Sequence, residues 1–169
     1  MKYWFTADLH LGHNQIIGFC NRPYKSIEQM DDALIRNWNS RVQPDDIIFI
    51  IGDFCYRNNT NKNTYARRLV GKTIFIRGNH DKNNATKTSI NYIGLSLGGK
   101  SLLLIHNPID AFGAPELVLC GHVHQNWKFK TTESGLDCCN VGVDVWGFRP
   151  ICIEEILKEY ETWKLKRGR

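Results

Sequence analysis

Nothing in this 169-residue sequence approaches the roughly 20 consecutive apolar residues needed to cross a bilayer, so no membrane-spanning helix is expected. Six cysteines are present, but no two are spaced Cys-x-x-Cys, and Cys138 and Cys139 are adjacent. That excludes zinc-finger spacing and indicates no disulfide framework. A linker, a low-complexity segment and an internal repeat are also missing, which predicts one compact domain over residues 1–169. Residues Met1 to Thr6 run straight into a polar cluster and leave no room for a signal peptide. The expectation is a cytoplasmic protein with reduced thiols. Strong charge of one sign is absent too: 22 Lys and Arg against 17 Asp and Glu give a net +5. Its basic cluster, Lys158, Lys164, Lys166, Arg167 and Arg169, reads as a solvated helix end that weakly favours anionic partners and only weakly raises nucleic-acid binding.

What the sequence does contain is a series of five short polar clusters, each directly after an apolar run: Asp8-Leu9-His10, Gly52-Asp53, Gly78-Asn79-His80-Asp81, His106-Asn107 and Gly121-His122-Val123-His124. Strands end where apolar runs end, and ligands at strand ends converge on one edge of a sheet. The clusters hold enough oxygen and imidazole ligands for two metal ions.

Around them, Tyr3 to Ala7, Ile47 to Ile51 and Ile74 to Ile76 read as strands, the second a β-branched run suited to burial on both faces. Ser26 followed by Gln29 opens a helix as a capping box, with Met30, Leu34 and Trp38 as its apolar stripe. The segment from Asn14 through Asn21-Arg22-Pro23 reads as a loop, and a short helix is expected around Tyr65 to Leu69 after a polar loop at Asn58 to Asn63. Further strands follow at Tyr92 to Leu97, Leu102 to Ile105, Leu117 to Cys120, Trp127 to Lys130 and Cys139 to Val141. Gly98-Gly99 signals a hairpin, and a helix from about Ile153 to Trp163 closes the chain. The expected fold is α/β: a two-sheet β-sandwich flanked by helices. The tryptophans fall in or near apolar runs and read as core or sheet surface.

Asp8 and His10 are two residues apart, so in an extended segment they would point to one side, and His122 and His124 repeat that geometry. Asp53, alone after its strand, is the candidate for the group between two metals, with Asn79 and His106 completing the second. Two carboxylates, four neutral imidazoles and one amide would leave two divalent ions with a net charge of about +2, typically about 3.5–4 Å apart. Such a pair is suited to binding an anion, polarising phosphoryl oxygens and supplying a hydroxide for in-line attack. Histidine-rich ligation without cysteine argues against structural zinc, magnesium and calcium; manganese is the first expectation, with iron, zinc, nickel or cobalt as the others. His80, beside Asn79, is the candidate for protonating the leaving oxygen, and Asp81 for orienting its imidazole.

The ordered set D-x-H, G-D, G-N-H-D, H and G-H-x-H resembles the signature of the calcineurin-like metallophosphoesterases. That resemblance implies their α/β/β/α fold, a first metal held by Asp8, His10, Asp53 and His124, a second held by Asp53, Asn79, His106 and His122, and His80 as the catalytic histidine. Asn140 to Trp146 and Phe19 to Pro23 resemble stretches of small bacterial and phage members. Many relatives carry a charged or amide residue a few positions after G-D, where this chain has Phe54-Cys55-Tyr56-Arg57, and no insertion is long enough to form a lid.

Outside the signature, His13 and Asn14 are candidates to reach a phosphate or leaving group, with loop stabilisation the competing role. Arg22, Arg57 and Arg77 are candidate phosphate clamps, since guanidinium matches phosphate bidentately; surface placement is the plainer alternative. The leading functional expectation is a phosphodiesterase acting on a small nucleotide-type phosphate ester. A nuclease using the same metals and a non-catalytic scaffold are the alternatives. The oligomeric state is not legible.

Overall fold

A computed structural model describes residues 1–56, 64–83 and 88–168. The loop expected at Asn58 to Asn63 lies outside them. The first sheet contains β1 (Tyr3–Thr6), β2 (Ile47–Ile51) and β3 (Lys72–Ile76), all parallel, with Tyr3 opposite Ile47 and Ile47 opposite Lys72. The second runs β4 (Tyr92–Leu97), β5 (Lys100–Ile105), β6 (Leu117–Cys120), β8 (Asp137–Asn140) and β7 (Phe129–Thr131) in that spatial order, with β5, β6 and β8 mutually parallel. Helices flank the sheets, as the apolar patterning predicts.

The continuous apolar run of β2 is explained by its two neighbours. Phe49 and Ile51 face the core between the sheets, with Phe5, Leu104, Leu119 and Val141. Ile48 and Ile50 face the other way, onto Met30, Leu34 and Trp38 of helix α2 (Ile27–Asn39). Each such fully buried side chain contributes about 1.5–3 kcal/mol. The C-terminal helix α3 (Ile153–Arg167) inserts Ile153, Ile156 and Tyr160 into the inter-sheet core.

Local signals are met with small changes. Ser26 caps α2 by accepting from the Gln29 N–H at 3.3 Å, but Gln29 reaches back to the Lys25 N–H at 2.7 Å, one residue before the cap. Leu97 and Lys100 pair across Gly98-Gly99, and both glycines have positive φ, as a mirror-image two-residue turn requires. Of the short helix expected near Tyr65, residues 64–66 are helical.

One expectation fails, and one strand is unanticipated. The segment read as a loop after Asn14 forms a short helix, α1 (Gln15–Phe19), whose Ile16 is buried; five residues are too few to show a helical period. A two-residue strand, β9 (Ile151–Cys152), pairs antiparallel with β1 and closes that edge. It is too short to be visible as a pattern. All six cysteines are buried, and none is in a disulfide.

Candidate metal centre

Because β1, β2 and β3 are parallel, and β5, β6 and β8 likewise, their C-terminal ends deliver Asp8, Asp53, Asn79, His106 and His122 to one edge of the sandwich. Backbone bonds from the Asp8 N–H to the Gly52 carbonyl (3.1 Å), the His10 N–H to the Asp53 carbonyl (3.0 Å) and the Gly121 N–H to the His106 carbonyl (3.0 Å) tie these ends together. The segments are not extended, however. Asp8, His10, Asp53, His122 and His124 all have positive φ, between 48° and 72°. Left-handed backbone costs on the order of 1 kcal/mol per non-glycine residue, a strain that clusters where geometry serves function. The sequence expectation that alternation along a strand pairs Asp8 with His10 and His122 with His124 is therefore corrected: left-handed turns aim them.

Close approach also dictates glycines. A Cβ on Gly52 would lie 2.2 Å from His106 Nδ1, and one on Gly78 would lie 2.1 Å from Asp53 Oδ1.

The side chains gather in two groups. Ligand atoms of Asp8, His10 and His124 lie within 4.8 Å of one another, and those of Asp8, Asp53 and His106 do the same. Asp53 Oδ2 stands 3.5 Å from His10 Nε2 and 3.4 Å from His106 Nε2, facing both groups at once. On the second side, Asn79 Oδ1 lies 2.9 Å from both His106 Nε2 and His122 Nδ1. The Ile51 carbonyl can only accept, so at 2.9 Å it places the proton on His106 Nδ1 and leaves Nε2 facing the site. Both ring nitrogens of His10 are buried without a hydrogen-bond partner, which is costly for a polar group and fits a metal ligand. The oxygen and imidazole donor set suits divalent transition metals.

Electrostatics point the same way. Burial pushes the Asp8 carboxyl up to about 6 and the His10 imidazole down to about 3. Burial would raise Asp53 as well, but the hydrogen bond and charge of His106 outweigh it and hold Asp53 at about 2. His106 is lowered by burial, yet Asp53 and Asp8 carry it up to about 9. Asp8 and Asp53 thus bring two buried carboxylates into one cluster, an arrangement that a cation relieves.

Beneath the cluster lies a buried support that sequence reading missed. His124 Nδ1 is 3.0 Å from Asp144 Oδ2, which leaves Nε2 for the site. Arg22 grips Asp144 through Nε (2.8 Å) and Nη2 (3.0 Å), and donates to the carbonyls of Leu9 (2.9 Å) and Asp8 (2.7 Å). Arg22 was expected to clamp phosphate. Its fully buried guanidinium is spent on this support instead. Asn140 donates to the His124 carbonyl at 2.7 Å and accepts from Gly142 at 2.8 Å. The likeness of residues 140–146 and 19–23 to small relatives was the available signal for Asp144 and Arg22 as partners.

Asp81, expected to orient His80, places Oδ2 2.8 Å from the backbone N–H of both Asp53 and Gly78. It joins two ligand loops, which is a positioning arrangement. His80 lies exposed at the rim, its N–H bonded to Asp53 Oδ1 at 3.0 Å and its ring 5.4 Å from that of His10. His13 is buried beside the centre, stacked on Tyr56 with centroids 3.9 Å apart. Arg77 donates to the Thr88 carbonyl on the surface, and Arg57 lies outside the described residues. A cavity of about 300 Å³ opens beside His10, His80 and His124.

This geometry has a clear family context. The family model for calcineurin-like phosphoesterases matches residues 1–113, more than half of the chain, and the chain belongs to that family. An uncharacterised protein of Methanocaldococcus jannaschii is 33% identical over 174 residues, covering 98% of this chain and 95% of its own length. The gene 66 protein of Mycobacterium phage L5 is 34% identical over 82 residues, covering 46% of this chain and 39% of its own. The crystal structure of a protein of unknown function from Aquifex aeolicus shares the fold, with a TM-score of 0.71 and 24% identity over 93% of this chain and 98% of that one. The family implies divalent metal ions, and the Asp and His groups here can hold them. No helix among the described residues is long and apolar enough to cross a membrane.

Proposed function

We propose that this protein hydrolyses small phosphodiesters of nucleotide type with the help of two divalent transition-metal ions, manganese first among them. The observation that carries the reading is Asp53: one carboxylate oxygen stands about equally far from His10 and His106, which belong to two ligand groups that share Asp8. Asp8, His10 and His124 with Asp53 would hold one ion; Asn79, His106 and His122 with Asp53 would hold the other. Ions bound there supply Lewis-acid polarisation of a phosphoryl oxygen and acidify water. Asp144 and Ile51 keep the imidazoles of His124 and His106 turned with their Nε2 atoms toward the site. His80, exposed at the rim with its backbone N–H bonded to Asp53 Oδ1, would give a proton to the departing oxygen or steady charge on the phosphoryl group.

The preference for diesters rests on the lining of the adjoining cavity. Among the described residues it contains no lysine or arginine, the groups a site would use to hold the extra charge of a monoester dianion. The test is to strip the protein of metal, reload it separately with manganese, nickel, zinc, iron(II) or magnesium, and assay bis-p-nitrophenyl phosphate against p-nitrophenyl phosphate. Manganese- or nickel-dependent turnover that favours the diester and disappears in Asp53→Ala is expected. Two bound ions per chain with no turnover of either ester would defeat the reading.

A further inference from the structure

We propose that the cavity beside the centre is a base-binding subsite that takes the planar heteroaromatic base of a nucleotide ester, with Phe19 as its stacking face. The inference rests on the phosphoester reading above and adds where the base of a nucleotide ester would bind. A phosphate held between His10, His80 and His124 must direct a substituent outward, and this cavity shares those three residues as its inner wall. At about 300 Å³ it is at the small end of ligand pockets.

Its outer walls are of two kinds. On one side stand Ile16, His13 and Phe19. Phe19 ends α1 and is 71% exposed, belonging to neither hydrophobic core of the first sheet. A phenyl ring left in water at the lip of a cavity is an unfavourable placement that an aromatic ligand would relieve. The His13 and Phe19 rings meet edge to face along this wall, with centroids 6.4 Å apart and planes at 77°, and the stack on Tyr56 backs His13. On the other side are the exposed amides of Gln125 and Asn126, each offering a donor and an acceptor. Gln125 Nε2 reaches the Phe19 carbonyl at 3.5 Å, which joins the two walls. Aromatic faces with amide edges match the π-face and polar rim of a nucleobase. A second phosphate would need cations, which the described lining lacks, and an aliphatic alcohol could not stack.

Stacking of one base on one aromatic ring is worth about tenfold in affinity. The measurement is calorimetric binding of adenosine 5′-monophosphate and of ribose 5-phosphate to the manganese-loaded full chain. Both ligands carry the same phosphate, and only one has a base. The wild-type protein is expected to bind the nucleotide about tenfold more tightly. Phe19→Ala should erase that difference while leaving ribose 5-phosphate unchanged, and Phe19→Trp should keep it. Phe19 is at the surface, so unaltered thermal unfolding of the variants is the control for folding. Equal affinity of the wild type for both ligands, or equal weakening of both in Phe19→Ala, overturns the subsite while leaving the phosphoester reading intact. Binding of neither ligand overturns the subsite, and the phosphoester reading falls with it only if bis-p-nitrophenyl phosphate is not turned over either.

Discussion

Removing the carboxylate of Asp144 separates the role of the buried support from that of the site above it. In Asp144→Ala, His124 loses the acceptor that fixes its ring, and Arg22 loses two of its bonds, those at 2.8 and 3.0 Å, while keeping the carbonyls of Leu9 and Asp8. Breaking a buried ion pair from one side costs about 3–5 kcal/mol, because the surviving charge stays buried. Loss of a carboxylate behind a metal-binding histidine typically weakens metal affinity by about 10–100-fold. Asp144→Asn keeps the shape and one acceptor but removes the charge, so it should fall between wild type and alanine in both respects. Arg22→Met combined with Asp144→Ala removes the orphaned charge and should recover part of the stability but none of the metal affinity, a non-additivity expected of a direct pair. Urea unfolding of the metal-free proteins gives the first quantity, and titration against a competing chelator gives the second. One of the two ions should weaken while the other is held nearly as in wild type. Wild-type affinity for both ions in Asp144→Ala would refute the reasoning.

Asp53→Asn should abolish diester turnover and reduce bound metal below two ions per chain, read by elemental analysis; full occupancy would argue against Asp53 as the shared ligand. Gly52→Ala forces a Cβ to within 2.2 Å of His106 Nδ1 at a φ of 84°, and should destabilise by about 2–4 kcal/mol, from overpacking and left-handed strain together; a stability within 0.5 kcal/mol of wild type on urea unfolding, the range of ordinary surface changes, would contradict this. Asp46, remote from the centre, accepts from the Lys2 N–H at 2.6 Å, Trp4 Nε1 at 2.9 Å and the Gln43 N–H at 3.0 Å. Burial opposes its ionisation, but these donors win and hold it below the ordinary carboxylate range. The unfolded chain then takes up the proton first on acidification, so the stabilisation is full well above pH ~4 and is lost as pH falls through the lower folded value. The gap in melting temperature between wild type and Asp46→Asn should therefore narrow below pH ~4, and a constant gap down to pH 2 would contradict it. His80→Ala should retain both ions and lose turnover of esters with poor leaving groups more than of nitrophenyl esters, as expected for a proton donor.

Features carried by short-range patterns were legible in the sequence alone. Apolar runs ending in Asp8, Asp53, Asn79, His106 and His122 fixed where strands stop, and the strictly apolar Ile47 to Ile51 implied burial on both faces, because side-chain alternation is a property of the strand itself. Ser26 and Gln29 marked a helix start for the same local reason. The sandwich and the convergence of the ligand clusters followed from those elements. What the chain could not show locally was decided by tertiary structure. The left-handed backbone at Asp8, His10, Asp53, His122 and His124 runs against the intrinsic preference of these residues and accompanies contacts from distant segments: the Gly52 and Asp53 carbonyls accept from Asp8 and His10, and the Asp81 and Asp8 carboxylates accept from Asp53 and His122. Arg22 and Asp144 meet across 122 positions. Read alone, an arginine near the site suggested a phosphate clamp; only the packed interior shows its donors already engaged. Asp81 bonds to backbone N–H groups that any sequence would possess, so no residue pattern could announce it. The cavity beside Phe19 exists only because α1, the His122 loop and the rim of β3 are brought together by the fold, and a cavity is a relation between segments that sequence spacing does not encode.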